Sequence, residues 1–108
     1  MTWTVTFYNQ RVEDELLALP NAFVARFLRY AERMEAFGPD LGMPHTRAMG
    51  AGLFELRPRG REGVGRTFYC FAIGQRVVIL HAFVKKTRET PEHDLKIARK
   101  RMKEVLHG

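Results

Sequence analysis

The sequence predicts a small α+β domain with helices packed on a mainly antiparallel sheet. Its 108 residues allow one hydrophobic core and no separate cofactor domain. Strand-like and helix-like periodicities follow one another in the order β-α-α-β-β-β-α. No repeat, low-complexity tract or Ser/Gly linker interrupts them, so residues 1–108 are expected to form a single domain. Apolar residues make up 45% and aromatics 11%, enough to build a core and to exclude a disordered chain.

Trp3 to Tyr8 (WTVTFY) is β-branched and aromatic and alternates as a strand does. Asn9 then caps a first helix through Leu19, with Glu13, Asp14 and Glu15 near its positive end. Pro20 ends it, and Asn21 is expected to cap a second helix in which Phe23, Val24, Phe27, Leu28, Ala31, Met34 and Phe37 recur at helical spacing. Gly38-Pro39 stops that helix. Gly38 to Gly52 reads as a long Gly/Pro-rich connection pinned to the core by Leu41, Met43 and Met49.

Three strands follow. Leu53 to Arg57 places Phe54 and Leu56 on one face and Glu55 and Arg57 on the other. Gly65 to Ile73 is almost wholly apolar after Arg66, as a central strand would be, and Gly74-Gln75 turns the chain into a strand from Arg76 to Val84. A last helix opens with Thr90 as cap and Pro91 at its first position, and buries Leu95, Ala98, Met102 and Val105.

Several function classes fall away. No apolar run approaches the length of a membrane span, and the amino-terminal residues lack the basic-then-apolar pattern of a signal peptide. The single cysteine, Cys70, has no partner for a disulfide, and no Cys/His pair has zinc spacing. A reducing cytoplasm and a metal-free, cofactor-free site are therefore expected. The chain contains no serine, which excludes a serine nucleophile. Cys70, in the middle of FYCFAI, reads as a buried core thiol. Gly60, Gly63 and Gly65 do not follow the dinucleotide fingerprint and suit a hairpin turn.

Charge is concentrated. Arg57, Arg59, Arg61, Arg66, Arg76, Lys85, Lys86 and Arg88 share their window with one acid, Glu62, so that segment carries +7 while the rest of the chain sums to −1. Such a cluster suits a polyanion, whose phosphates exchange counterions for Lys and Arg. Arg57 closes one strand, Arg66 opens the next, and Lys85 and Lys86 close the third, so antiparallel pairing brings all four to one rim of the sheet. A phosphodiester is the obvious counter-charge. In RNA the 2′-hydroxyl is an internal nucleophile. Arginines can stabilise the developing phosphorane charge, and a lysine depressed by neighbouring cations can move a proton. His93, in the first turn of the last helix, is placed to reach a leaving oxygen, and equally to stand in solvent. His45 lies in the long connection within reach of a ligand, and His81 reads as a satisfied strand residue. From spacing alone, a catalytic phosphate site and a non-catalytic nucleic-acid-binding surface both remain open.

Leu53-Phe54-Glu55-Leu56-Arg57, Gly65-Arg66-Thr67-Phe68-Tyr69, His81-Ala82-Phe83-Val84-Lys85-Lys86-Thr87 and Thr90-Pro91 together resemble the phage-derived HigB-like branch of the RelE toxin superfamily. The resemblance implies a RelE-like domain and the toxin of a type II toxin–antitoxin module. It implies metal-independent cleavage of messenger RNA on the ribosome, and an antitoxin partner of helix-turn-helix type. By position, Arg57, Arg66 and Lys86 match the cations that hold the scissile phosphate, with His93 added as acid or base. Arg59, Arg61, Lys85 and Arg88 become the RNA-binding cations. The chain departs from the family pattern in two places, at three residues. Glu92 and His93 stand where a base-stacking tyrosine is common, and Glu55 stands where a lysine is common.

Overall fold

In the computed structural model, which describes residues 2–42, 45–57, 65–72, 74–85 and 91–107, the predicted order is present with one strand added. The described elements are β1 (Thr4–Phe7), α1 (Gln10–Leu17), α2 (Asn21–Phe37), β2 (Thr46–Gly50), β3 (Leu53–Leu56), β4 (Gly65–Ala72), β5 (Arg76–Val84) and α3 (Glu92–His107). The added strand, β2, lies inside the connection expected to be irregular. It pairs antiparallel with β3 and forms the sheet edge, with a bulge between Ala48 and Gly50. Leu41 and Met49 do anchor this segment to the core. Met43 lies outside the described residues, as do Thr90 and the glycines at 60 and 63.

The sheet runs β1-β5-β4-β3-β2, antiparallel except for the β1–β5 pair. Helices α1 and α2 cover one face: Val12, Leu16, Phe23, Phe27 and Met34 pack on Leu56, Tyr69, Val77, Ile79 and Ala82. Helix α3 covers the other, with Ala98 and Met102 on Leu53, Phe68, Cys70, Val78, Leu80 and Phe83. Both faces of β4 and β5 are therefore dry, which is why their sequences read as nearly continuous apolar runs.

Local signals act as expected at most boundaries. The Asn9 side chain accepts from Val12 N–H at 2.9 Å and caps α1. At α2 the cap position is taken by Pro20, and Asn21 is the first helical residue, with no side-chain cap bond. Gly38 closes α2 at φ 100, donating to the Met34 carbonyl at 2.8 Å. The α2 stripe is narrower than its apolar content suggested. Phe23, Phe27 and Met34 are buried, while Leu28 is 51% and Phe37 81% exposed, because each residue turns about 100° from the last and these two point off the core-facing arc.

Cys70 is a core thiol, 1% exposed, and burial pushes its pKa up to about 11. It should resist alkylation in the native protein at neutral pH and react only as the chain opens, so its labelling rate reports unfolding. A raised folded pKa means that stability is whole below pH 9 and falls as pH climbs toward about 11, a loss of about 2–3 kcal/mol. Denaturation curves across that window should show this part of the loss in the wild type and not in Cys70→Val.

Candidate functional site

Strand β3 builds the centre of the site. Glu55 registers with Arg47 of β2 on one side and Phe68 of β4 on the other. Arg57 follows two residues later on the same face, and its backbone N–H donates to the His45 carbonyl at 2.8 Å, extending the pairing beyond Leu56. Arg66 lies next to Thr67, which registers with Leu56, and opposite Phe83 of β5. Lys85 leaves the end of β5 one residue past Val84, the partner of Gly65.

Electrostatics shows how close these groups are. Glu55 is fully buried, and its Oε1 lies 3.7 Å from Arg57 Nε. Neither Glu55 oxygen accepts a hydrogen bond from a described residue. The Arg66 guanidinium has its pKa lowered by burial, and further by the positive charge of Arg57, while Glu55 opposes the shift. Lys85 is lowered by burial and by Arg66, Arg57 and Arg47, again against the pull of Glu55. By strand register, Arg47, Arg57, Arg66 and Lys85 thus lie at the same end of the sheet as one buried carboxylate. Among the described residues, four cations to one anion leave a surplus for a ligand.

Of the sequence-predicted site residues, Arg57, Arg66 and Lys85 come together here. Lys86, Arg59, Arg61 and Arg88 lie outside the described residues. His93 is exposed in the first turn of α3. Its neighbour Asp94 fixes that turn, because Asp94 Oδ1 sits 2.6 Å from His81 Nε2. A bulge in the β4–β5 ladder, where partners jump from Phe68↔His81 to Tyr69↔Ile79, aims His81 toward α3. The row Glu55–Phe68–His81 spans two strand spacings, about 10 Å, which separates the His81–Asp94 contact from Glu55. His81 is only half the satisfied strand residue the sequence suggested: Nε2 pairs with Asp94, while the buried Nδ1 has no hydrogen-bond partner among the described residues.

Two features of the cluster were not legible. Glu55 reads from the sequence as sharing a face with Arg57, opposite Phe54 and Leu56, and the structure adds that this counter-ion is fully buried. The signal of that burial was the apolar run LFEL, which marks a strand covered on both faces. Arg47 was hidden in the segment expected to be a loop. Glu55→Gln keeps the shape and removes the charge. It should cost about 2 kcal/mol at low ionic strength by leaving the four cations uncompensated, and the deficit should shrink as salt screens them. Urea denaturation at low and high salt checks both parts.

Among the described residues no group of three or more His, Cys, Asp and Glu side chains is arranged to hold a metal ion, and no helix is long and apolar enough to cross a membrane.

Comparison with known proteins agrees with this architecture. No curated protein matches the sequence. Among solved structures, an arginine-to-alanine double mutant of E. coli toxin RelE in the free state superposes with a TM-score of 0.68, at 13% identity, over 94% of this chain and 99% of that one. The archaeal RelE–RelB complex from Pyrococcus horikoshii matches with a TM-score of 0.57 and 21% identity over 82% of this chain and 100% of the other. The toxin–antitoxin complex RelBE2 from Mycobacterium tuberculosis gives 0.52 and 22% over 81% and 95%. These likenesses define the fold as RelE-like. The family model for phage-derived Gp49-like proteins (DUF891) matches residues 14–103, and the chain belongs to that family.

Proposed function

We propose that this protein is the toxin of a type II toxin–antitoxin module, of the HigB-like branch, and that it cleaves messenger RNA on the translating ribosome. The observation that carries this reading is the meeting of Arg57, Arg66 and Lys85, with Arg47, around buried Glu55 on a RelE-like fold. Arg57 and Arg66 grip the scissile phosphate and stabilise the charge that builds on its oxygens. The 2′-oxygen attacks phosphorus as its proton passes to a base, and the bond to the 5′-oxygen breaks as that oxygen takes a proton. The products are a 2′,3′-cyclic phosphate and a 5′-hydroxyl. Lys85, whose pKa is lowered, suits proton transfer better than an ordinary lysine does. Lys86 assists at the phosphate, His93 serves as acid or base at the rim, and Arg59, Arg61 and Arg88 contact the flanking RNA. An antitoxin is the expected partner, as the relatives crystallised with RelB suggest, and the HigB-like reading makes it a small helix-turn-helix protein.

Glu55 favours one competing reading, a non-catalytic nucleic-acid binder on the same scaffold, since a carboxylate already occupies part of the cationic centre. Induction in a bacterial culture decides between them. The proposed toxin arrests growth and leaves messages with new 5′-hydroxyl ends, whereas intact RNA and unchanged translation overturn it. Co-expression of a cognate helix-turn-helix antitoxin should restore growth.

A further inference from the structure

A second basic surface lies on the outer side of α2. Arg26, Arg29 and Arg33 recur at helical spacing and, with Tyr30, line a groove of about 280 Å³. Like charges four residues apart weaken a helix, and Arg29 and Arg33 stand in that relation. Both are exposed. Among the described residues neither forms an ion pair, and the Arg33 guanidinium sits 6.0 Å from the centre of the Tyr30 ring. Elsewhere the chain matches such positions with acids: Arg11 pairs with Glu15 at 3.1 Å and Lys96 with Glu92 at 3.9 Å. The α2 stripe is therefore poorly arranged for its own helix.

The stripe is also joined to the candidate site. The Tyr30 hydroxyl is 3.1 Å from His45 Nδ1, with the two rings 5.2 Å apart. The His45 carbonyl in turn accepts the Arg57 N–H at 2.8 Å. Because β2 is an edge strand, this path runs around the sheet edge from the α2 face to the α3 face.

We propose that Arg29, Tyr30 and Arg33, continued through His45 to Arg57, bind the phosphate backbone of RNA away from the scissile bond. Guanidinium forks fit phosphate oxygens, and the tyrosine ring offers a stacking surface for a base. Three of the four groove residues are arginines, a charge density that matches a phosphate backbone better than the apolar face of an amphipathic peptide. The inference rests on the RNA-cleaving reading given above, with the α2 groove as an extension of that site.

The test uses the full chain carrying Arg29→Gln and Arg33→Gln. Its probes are a 2′-O-methyl oligonucleotide long enough to span both faces and a 2′-O-methyl dinucleotide, neither of which can be cleaved. For the long probe, the slope of log affinity against log salt should fall by about 1.4, or 0.7 for each lost phosphate contact. Dinucleotide binding should not change, and the melting temperature should hold or rise because a like-charge pair has gone. An unchanged slope overturns the inference, and so does a drop in melting temperature, which would make the arginines structural. Polyglutamate that binds the wild type as tightly as RNA and loses this in the variant also overturns it, in favour of an acidic protein partner. Failure of the catalytic reading shows separately: induction of the wild type would then leave messages intact whatever the α2 variant does to the slope.

Discussion

Replacing Arg57 and Arg66 together by alanine should slow RNA cleavage by at least about 10³-fold, or about 4 kcal/mol of transition-state stabilisation. Both side chains belong to the same charge cluster, and phosphate charge grows in the transition state, so losing both forks removes stabilisation where it is greatest. The fold should survive, because neither side chain is in the apolar core. A modest loss of stability is expected, since among the described residues Glu55 keeps only Arg47 and Lys85 as neighbouring cations. The lysine pair, Arg57→Lys with Arg66→Lys, keeps the charge and loses the planar fork. It should fall between wild type and the alanine pair, by about 10- to 100-fold. Mapping 5′-hydroxyl ends on messages translated in vitro gives the rates, and circular dichroism gives the fold. Cleavage by the alanine pair at the wild-type rate would remove these two residues from the chemistry.

Gly65→Ala should be among the most damaging single substitutions in the chain, although it adds one methyl group. An alanine Cβ at this position would lie 2.3, 2.5 and 2.8 Å from three carbons of the Phe23 ring. Phe23 is 3% exposed in the core between α2 and the sheet, so the ring has nowhere to go without moving the helix. Overpacking of this kind costs about 3 kcal/mol, a large part of a total stability of about 5–15 kcal/mol. The melting temperature should fall by about 15 °C. Phe23→Leu on its own also destabilises, by leaving a cavity. Combined with Gly65→Ala it should recover about 1–2 kcal/mol of the sum of the two losses, a coupling that a thermal-melt cycle measures directly. Strict additivity would mean that the ring and the glycine are not in contact. The effect reaches the site as well, because Arg66 is the next residue and its Nη1 donates to the Gly65 carbonyl at 2.8 Å.

Most of the fold was readable because its boundaries depend on short-range chemistry. The Asn9 cap, the stop at Gly38, the stripe of Leu95, Ala98, Met102 and Val105 and the full length of β5 all follow from residues within a few positions of one another. The misreadings share one cause. Thr46–Gly50 has weak strand character of its own and becomes a strand because β3 is there to pair with it. Leu28 and Phe37 are apolar, but the orientation of α2 on the sheet sends them to solvent. His81 is a strand residue satisfied at one nitrogen only, and its partner Asp94 sits in α3, which spacing along the chain does not reveal.

The candidate site divides in the same way. That Arg57, Arg66 and Lys85 should share one rim follows from strand order and the antiparallel rule, both accessible from the linear chain. That a carboxylate sits buried at their centre, with Arg47 across from it, required knowing that α3 closes over one face and that a further strand flanks β3. Residue type and local spacing establish what charge a segment carries and what element it forms, since those depend on bonds a few residues long. Which charges become neighbours, and which of them lose water, depends on contacts between strands far apart in the chain, and that is settled only when the sheet is assembled.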